Sequence, residues 1–222
     1  KDYLEIHYAG QDILYVPTDQ LKLLQRYIGN EGTTPKLHRM GGNEWQKVRK
    51  KAQKSITDLA EKLVALYAKR EIVPGYAFPA DTSYQKEFED AFPYEETDDQ
   101  LRAVQTIKKS MEKPFPMDCL VCGDVGFGKT EVAMRAIFKA VMGGKQVAVL
   151  VPTTVLAQQH FQTFSERFGP FGVACDVLNR FRSYKEKKDI LARTLSGDVD
   201  VLIGTHSLLN KKVKFKDLGL LV

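Results

Sequence analysis

The stretch CGDVGFGKTEVAMRA, Cys122 to Ala136, constrains the fold of this 222-residue chain more than any other. It matches the pattern G-x-x-x-x-G-K-[ST], with an apolar run, DCLVC, before it and an amphipathic helical pattern after it. Glycines in such a loop let successive backbone N–H groups converge on phosphate oxygens, and the following helix adds its positive end. The sequence therefore predicts a phosphate-binding loop, or P-loop, between a buried strand and a helix.

The P-loop motif predicts a role for each of its residues. Lys129 would reach the β- and γ-phosphates of a nucleotide, and the Thr130 hydroxyl would be a Mg²⁺ ligand, so these two are the predicted catalytic residues. The residues predicted to line the phosphates are Gly123, Asp124, Val125, Gly126, Phe127, Gly128, Lys129, Thr130 and Glu131. The predicted ligand is therefore a nucleotide with its Mg²⁺ ion.

A second nucleotide contact is predicted upstream, in the stretch FPYEETDDQ. The ring of Tyr94, or less favourably that of Phe92, suits stacking on a base, and the Gln100 amide carries the acceptor and donors that fit the adenine edge. The alternative is that Thr97 and Gln100 form a helix N-capping box. Both can hold, because a capped helix start would fix Gln100 in place. All four residues are predicted to bind the nucleotide.

From about residue 97 the pattern alternates between helices and short apolar runs rich in β-branched residues. The P-loop helix is predicted to end at Met142, and further helices are predicted at about 154–168 and 184–195. The predicted strands are QVAVLVP, VACDVLN, DVDVLIGT and LGLLV. Strands that are separated by helices imply crossover connections. The sequence therefore predicts an α/β fold whose parallel sheet is covered on both faces.

The amino-terminal residues follow a different pattern. Alternating apolar residues at 3–16 predict a β-hairpin, followed by a short helix that carries Leu21, Leu24 and Ile28 and by the loop GNEGTTP. A lone hairpin is only marginally stable in water. This segment is therefore interpreted as the end of a small β module.

A long amphipathic helix is predicted from Asn43 to about Arg70, with one apolar stripe and an opposite face rich in lysine. That basic face is either a solvated surface or a contact for nucleic acid or an acidic partner. Residues 71–93 contain several prolines and glycines, which predict a linker.

Small polar residues follow two of the predicted strands, in PTT and GTH. Hydroxyls and backbone N–H groups at a helix start suit nucleic-acid phosphates, although small polar residues are also usual in loops between strands and helices. The run KKVKFK is equally consistent with a solvated turn and with a DNA contact. The residues predicted to bind DNA are Pro152, Thr153, Thr154, Gly204, Thr205, His206 and Arg180, with Arg182 as a weaker candidate.

Composition narrows the class of protein. The formal net charge of +5 gives a mild attraction for polyanions. No apolar run approaches the roughly 20 residues that span a bilayer, and KDYLEIHYAG does not have the pattern of a secretory signal, so no membrane contact and a cytoplasmic location are expected. The three cysteines, Cys119, Cys122 and Cys175, are expected to be reduced thiols in the core.

The order of FPYEETDDQ, CGDVGFGKTEVAMRA, VAVLVPTTVLAQQH, LNRF and IGTHSLL closely resembles that of the bacterial transcription-repair coupling factors, a family of superfamily 2 double-stranded DNA translocases. The stretches DYLEIHYAGQDILYVPTDQL and PKLHRMGGNEW are similar to the end of that family's RNA-polymerase-interacting module and to its joining helix. The related fork-reversal helicase shares the motor motifs but not this amino-terminal stretch. The resemblance covers essentially the whole chain.

The resemblance implies a partial RNA-polymerase-interacting β module at 1–42, a long helix and linker at 43–93, and a first RecA-like lobe at 94–222. In this family a strand such as LGLLV leads into an Asp-Glu motif, before which this sequence ends, and a second lobe supplies an arginine to the γ-phosphate. The implied cofactors are ATP and Mg²⁺. The implied partners are double-stranded DNA, RNA polymerase and, through regions outside this sequence, nucleotide-excision-repair proteins. The chain is therefore expected to bind nucleotide but to hydrolyse little alone.

Three other functions are consistent with parts of the sequence. The hairpin with Leu21 and Leu24 could serve as a polymerase-binding adaptor in which the P-loop is not used. A related fork-remodelling DNA helicase would share the motor motifs. A small-molecule P-loop kinase is a further alternative, which the paired PTT and GTH loops and the lack of an obvious substrate lid disfavour.

Overall fold

The protein, seen in a computed structural model that describes residues 2–25 and 37–222, forms two compact units, Lys1–Lys69 and Arg70–Val222. The first unit contains a hairpin and most of a long helix, and the second contains a parallel sheet with its helices. Ile28 and the predicted loop GNEGTTP lie outside the described residues.

The first unit begins with the antiparallel hairpin that the alternating pattern predicts. Strand β1, Tyr3–His7, pairs with strand β2, Ile13–Pro17, in a register that places Leu4 opposite Val16. A 3₁₀ helix, Thr18–Leu23, follows β2. Val16 is buried, whereas Leu4 is exposed, so the hairpin leaves part of its apolar surface uncovered.

Helix α1, Asn43–Ile72, begins where the sequence predicts and ends two residues beyond the predicted Arg70. None of its residues is buried, so the apolar stripe is exposed along its length. The exposed apolar side chains include Trp45, Val48, Ile56, Leu59, Leu63 and Leu66. Among the residues that the structure describes, neither α1 nor another helix has the length and apolarity needed to cross a bilayer.

Four parallel strands form the sheet of the second unit, as predicted. They are β3, Gln146–Leu150, β4, Cys175–Leu178, β5, Val201–Gly204, and β6, Leu218–Leu221. They lie in the order β4-β5-β3-β6, with Val147 opposite Val201 and Cys175 opposite the same residue from the other side. Every residue of β5 is buried. Because neighbouring side chains on a strand point to opposite faces, both faces of the sheet are covered there.

Except for the helix at Ser83–Asp90, which lies in the stretch predicted to be a linker, the α-helices of the second unit agree closely with the periodic pattern. After α1 they are α2, Ser83–Asp90, α3, Asp98–Met111, α4, Lys129–Met142, α5, Thr154–Phe168, and α6, Tyr184–Ser196. The core between α2, α4 and α5 is aromatic. Phe88, Phe138 and Phe168 are fully buried, and the rings of Phe88 and Phe138 stack with their centroids 4.3 Å apart. This packing holds α4, which follows the P-loop, against the rest of the unit.

The run DCLVC does not form the predicted buried strand, and that prediction is wrong. Leu120 is 86% exposed, and Cys119 and Cys122 are exposed rather than in the core. A groove of about 600 Å³ is lined by residues from this segment and by Leu218–Leu221 of β6. The segment therefore lies beside the sheet without joining it. An apolar run indicates burial, but a strand also needs a hydrogen-bonded neighbour, which periodicity does not report.

Residues 71–93, whose composition predicts a linker, include α2 and contribute to the core of the second unit. Phe78 and Phe88 are buried, and the Lys139 ammonium on α4 donates to Asp81 Oδ1 at 2.7 Å. Composition did not anticipate these contacts, because it carries no information on which side chains find a buried partner. The domain boundaries implied by the resemblance stay a prediction.

Candidate nucleotide-binding site

The P-loop leads directly into α4, as the motif predicts. Gly126 and Gly128 have φ angles of 87° and 71°, in the left-handed region that glycine adopts without a Cβ clash. Since α4 begins at Lys129, the positive end of its dipole faces the loop. The Lys129 ammonium donates hydrogen bonds to the Gly123 and Asp124 carbonyls, both at 2.6 Å. It therefore lies over the loop, where phosphate oxygens can replace these two carbonyls as acceptors.

Two loop residues extend their side chains away from the protein. Val125 is 98% exposed and Phe127 is 65% exposed. The Phe127 N–H donates to the Asp124 carbonyl at 3.3 Å, so a phosphate oxygen would have to replace that acceptor. Thr130 is half-buried in the first turn of α4, directly after Lys129. The motif predicts that its hydroxyl is a Mg²⁺ ligand, and this role stays a prediction.

Gln100 connects the start of α3 to the P-loop. Its Nε2 group donates to the Phe127 carbonyl at 3.0 Å, and its Oε1 accepts from the Thr97 N–H at 2.9 Å. The Thr97 hydroxyl in turn accepts from the Gln100 N–H, which completes a capping box. A Cβ at Gly128 would lie 2.3 Å from Gln100 Nε2, so a side chain there would displace the Gln100 amide, and the positive φ also favours glycine. The capping alternative is therefore present, and the same contacts hold Gln100 beside the loop.

Phe92 and Tyr94 lie together but in different environments. Their rings make an edge-to-face contact with centroids 5.5 Å apart. Phe92 is half-buried beneath the guanidinium groups of Arg135 and Arg167, at 5.5 and 5.8 Å from its ring centroid. Tyr94 is 73% exposed. Tyr94 is thus the ring that is free to stack on a base, whereas Phe92 anchors the segment.

A cleft of about 600 Å³ lies between the P-loop and α3. Its lining includes the predicted residues Thr97, Gln100, Gly123, Asp124, Phe127 and Lys129. The cleft is also lined by residues that the sequence motifs do not predict, namely Asp99, Ala103, Val121 and Val132. Because Ala103 lies three residues after Gln100 on the same helix, this spacing could have predicted that Ala103 lines the cleft. A cleft with glycine backbone, an ammonium and an amide at one side fits a nucleotide with its phosphates on the loop.

Glu131 belongs to the P-loop helix but does not face this cleft. It is 5% exposed, and its carboxylate pairs with Arg135 at 3.0 Å and with Arg167 at 3.3 Å. Its N–H donates to the Gly128 carbonyl at 3.0 Å. The prediction that Glu131 contacts the nucleotide is not supported by this placement, because both its carboxylate and its N–H bond within the protein. Motif position alone could not distinguish the two faces of the first helical turn.

The loops after β3 and β5 lie at the same edge of the sheet, because parallel strands end on one side. The Thr153 hydroxyl accepts from the Leu156 N–H at 3.2 Å and so caps α5, while Pro152 is exposed and Thr154 is half-buried. After β5, His206 is exposed. The remaining predicted residues there, Gly204 and Thr205, are buried. The exposed members of the two loops are therefore the ones available to a DNA backbone.

The two arginines after β4 differ in their availability. Arg180 is exposed, and its guanidinium lies 5.3 Å from the ring centroid of Phe181. Arg182 contacts two carboxylates, Glu186 at 3.2 Å and the buried Asp176 at 3.5 Å. Arg180 is consequently the better candidate for a phosphate contact, in agreement with the order of preference from the sequence.

Comparison with known proteins places these features in a family. Residues 97–222 match the DEAD/DEAH box helicase family, and residues 1–28 match the CarD-like/TRCF RID domain. The first match covers more than half of the chain and includes the P-loop, α3 and the whole parallel sheet. The chain belongs to the DEAD/DEAH box helicase family. Membership of this family accounts for a P-loop that precedes a parallel sheet of this kind.

The relatives of this family member are close in sequence but much longer. Over all 222 residues the chain is 56% identical to the transcription-repair-coupling factor of Bacillus subtilis (strain 168) and 52% identical to that of Staphylococcus haemolyticus (strain JCSC1435). It spans 19% of each of these proteins. The structure of RecG bound to a three-way DNA junction aligns with 71% of this chain and 22% of that chain, with a TM-score of 0.67 and 37% identity.

These similarities confirm two predictions. The resemblance to the transcription-repair coupling factors is confirmed by relatives that match the whole chain. The α/β, RecA-like fold with a small β module before it is confirmed by the parallel sheet, the hairpin and the alignment with the RecG structure. The roles of single residues stay predictions, because family membership applies to the chain and not to each side chain.

Proposed function

We propose that this chain is the nucleotide-binding part of an ATP-dependent double-stranded DNA translocase that couples transcription to DNA repair. The observation that carries this proposal is the P-loop with Lys129 over the loop carbonyls and Gln100 beside it, in a chain of the DEAD/DEAH box helicase family. The transcription-repair-coupling factors among its relatives support the biological role. In the longer protein, binding and hydrolysis of ATP would move the motor along DNA and displace a stalled polymerase.

Different residues of the site are proposed to bind different parts of Mg-ATP. The glycine backbone of the loop and the α4 dipole bind phosphate oxygens, and Lys129 adds positive charge at the β- and γ-phosphates. Thr130 provides a hydroxyl ligand for Mg²⁺, which when bound neutralises charge on the phosphates. Tyr94 stacks on the base, and the second Nε2 proton of Gln100 is available to the adenine edge while the first stays on the Phe127 carbonyl.

The DNA backbone is proposed to lie along the edge of the sheet where β3, β4 and β5 end. Pro152, Thr154, His206 and Arg180 are exposed or half-buried there and are suited to phosphate oxygens. Replacing Arg180 by alanine is expected to weaken duplex binding and to lower the slope of log K against log salt by about one, because one phosphate contact is lost. Arg102→Ala, an exposed arginine on α3, is the matched control and should leave the slope unchanged.

Nucleotide binding is tested by calorimetric titration of the folded chain with Mg-ADP. Lys129→Ala is expected to weaken binding by at least about ten-fold, because a charge-assisted contact to phosphate is lost. Lys113→Ala removes an exposed lysine just after α3 and should bind like the unmodified chain. The absence of any binding by the folded chain would refute the proposal.

The chain by itself is proposed to hydrolyse little ATP. It spans 19% of the length of its relatives, and the family resemblance implies that an acidic motif and an arginine from a second lobe complete the catalytic machinery. ATP hydrolysis is measured with and without duplex DNA, in the unmodified chain and in Lys129→Ala. Robust turnover that needs both Lys129 and DNA would contradict this part of the proposal, since it would require no further residues.

A second function, polymerase binding, is favoured by the match of residues 1–28 to the CarD-like/TRCF RID domain. Two-stranded hairpins have open backbone edges, which can accept a strand from a partner, and Tyr3 and Tyr15 on this hairpin are 52% and 54% exposed. We expect the chain to retain RNA polymerase in a pull-down, and Tyr15→Ala to reduce retention. Tyr184→Ala, which removes an exposed tyrosine from α6, is the control. Equal retention by both variants would count against the hairpin.

A cytoplasmic location and contact with nucleotide-excision-repair proteins complete the proposal. Both follow from the role in transcription and repair, because bacterial transcription takes place in the cytoplasm. The repair proteins would bind regions of the longer protein other than these 222 residues. The unused P-loop, the fork-remodelling helicase and the small-molecule kinase have no observation of their own in the structure that favours them.

A further inference from the structure

The segment that carries Tyr94 has no regular structure of its own. It runs from the end of α2 at Asp90 to the start of α3 at Asp98, and Tyr94 is 73% exposed in its middle. An exposed ring on an irregular segment can stack on a base only if neighbouring residues hold the segment in place. The position of Tyr94 therefore depends on the side-chain contacts made on either side of it.

One side chain contacts the segment on both sides of Tyr94. The Arg135 Nη2 group donates to Glu96 Oε1 at 2.6 Å, two residues after Tyr94. The guanidinium carbon of Arg135 also lies 5.5 Å from the ring centroid of Phe92, two residues before it. Phe92 connects Arg135 to Tyr94 indirectly, because the Phe92 and Tyr94 rings make an edge-to-face contact with centroids 5.5 Å apart.

Arg135 is itself firmly held. Its side chain is 3% exposed, and its Nε group donates to the buried Glu131 carboxylate at 3.0 Å, one turn back on α4. The Gln85 side chain donates to the Arg135 carbonyl at 3.1 Å. Burial alone would lower the pKa of Arg135, but the hydrogen bonds that its guanidinium donates to Glu96 and Glu131 outweigh it and raise that pKa, so the guanidinium stays charged. A planar guanidinium can serve both carboxylates at once, which a lysine ammonium cannot do in the same geometry.

The same helix also carries the P-loop lysine at its first residue. Lys129 and Arg135 are six residues apart on α4, so the helix that presents the phosphate-binding ammonium also positions the base-stacking segment. A second link, from Gln100 to the Phe127 carbonyl, joins the start of α3 to the loop itself. Helix α4 thus positions both the phosphate-binding lysine and the segment that carries the base-stacking ring.

We propose that Arg135 is a positioning residue for base recognition, which clamps Phe92 and Glu96 so that Tyr94 stands in line with a nucleotide bound on the P-loop. This inference rests on the proposed nucleotide-binding function and adds a residue outside the P-loop motif to it. Arg135 does not touch the nucleotide. Its loss should weaken the contribution of the base to binding and leave the contribution of the phosphates unchanged.

Glu96→Gln is the sharpest test, because it removes the charge of the clamp from a partly exposed side chain and leaves the buried Arg135–Glu131 pair intact. Binding of Mg-ADP and of Mg-tripolyphosphate is measured by calorimetry on the folded chain. Glu96→Gln is expected to weaken ADP binding by about ten-fold, the scale of one lost stacking contact, and to change tripolyphosphate binding by less than about two-fold. Glu95→Gln removes the neighbouring exposed carboxylate and should change neither.

Two further variants separate positioning from folding. Arg135→Lys keeps the buried charge but not the fork, and it should reduce ADP binding selectively in the same way. In the background of Tyr94→Ala, Glu96→Gln should have no further effect on ADP binding, because the ring that it positions is gone. Equal losses of ADP and tripolyphosphate binding, or unchanged ADP binding in Glu96→Gln, would overturn the inference. Failure of the unmodified chain to bind either ligand would instead overturn the proposed function itself.

Discussion

Replacing Lys139 by methionine would test whether a charged cluster holds the segment before the P-loop against α4. The Lys139 side chain is 3% exposed. Its ammonium donates to the Pro79 carbonyl at 2.8 Å, to Asp81 Oδ1 at 2.7 Å and to Glu112 Oε1 at 2.8 Å. Methionine preserves most of the apolar stem but none of these three hydrogen bonds.

The loss in free energy of unfolding caused by Lys139→Met depends on how well its three former acceptors are solvated or hydrogen-bonded afterwards. Removing one partner of a fully buried ion pair costs about 3–5 kcal/mol, but Asp81 and Glu112 are 34% and 39% exposed and regain water. Asp81 also keeps a hydrogen bond from Lys108 at 2.6 Å. About 0.5–1 kcal/mol for each partly exposed carboxylate and about 1 kcal/mol for the Pro79 carbonyl give a loss of about 2–3 kcal/mol in the free energy of unfolding.

Urea denaturation followed by circular dichroism measures this loss, and a thermal scan should show a fall in Tm of roughly 4–12 °C. Lys109→Met changes an exposed lysine on α3 and should stay within about 0.5 kcal/mol of the unmodified chain. If Lys139→Met were no more destabilised than this control, the hydrogen bonds of Lys139 would make no measurable contribution to stability. The segment from Phe78 to Asp90 would then be held by its aromatic core and its other hydrogen bonds, such as that from Gln85 to the Arg135 carbonyl.

The same cluster predicts a pH dependence. Burial alone would raise the pKa of Asp81, but hydrogen bonds from Lys108 and Lys139 outweigh it and hold the pKa below its ordinary value of 3.8. A carboxylate with a lowered folded-state pKa contributes stability above its unfolded pKa and loses it as the pH falls through the folded value. The difference in unfolding free energy between the unmodified chain and Lys139→Met should therefore shrink below pH 3.8. A difference that stays constant into this range would show that the carboxylates are not its source.

Three smaller predictions concern thiols and backbone. Burial, with nearby aspartates, raises the pKa of Cys175 to about 12, so a thiol reagent at pH near 8 should modify the exposed Cys119 and Cys122 quickly and Cys175 slowly, as followed by mass spectrometry. A Cβ at Gly204 would lie 2.8 Å from a backbone carbonyl at the end of β4, so Gly204→Ala should lower the free energy of unfolding in urea by about 1–3 kcal/mol. Thr153→Ala removes the cap of α5 and should cost about 1 kcal/mol in the same assay.

Local patterns predicted most of the second unit, because its elements are specified by short-range chemistry. Helix α5 begins and ends at the predicted residues, and the capping box of Thr97 and Gln100 is present. The P-loop glycines were also predictable, since their left-handed backbone is a property of the motif itself. Where the prediction was wrong, at DCLVC, the missing information was the identity of the neighbouring strand.

The candidate site also contains some features that the sequence predicted and others that it did not. Lys129, Gln100 and Tyr94 were predicted from residue type and spacing, and the structure brings Lys129 and Gln100 to one cleft, whose lining does not include Tyr94. The direction of Glu131 and the importance of Arg135 were not predictable, although both charges stand one turn apart on α4. A helical pattern tells which residues share a face, but not which elements pack against that face.

By itself, the sequence predicted a glycine-rich loop of the phosphate-binding type ahead of a parallel sheet, and a resemblance to the transcription-repair coupling factors. Tertiary structure alone decided that Phe78 and Phe88 join the core of the second unit. It also decided that Phe92 is half-buried while Tyr94 is exposed, and that the Glu131 carboxylate pairs with two arginines. The physical reason is the sequence separation of the interacting residues. Backbone conformation and capping depend on neighbours along the chain, whereas burial and charge pairing depend on residues that only the fold brings together.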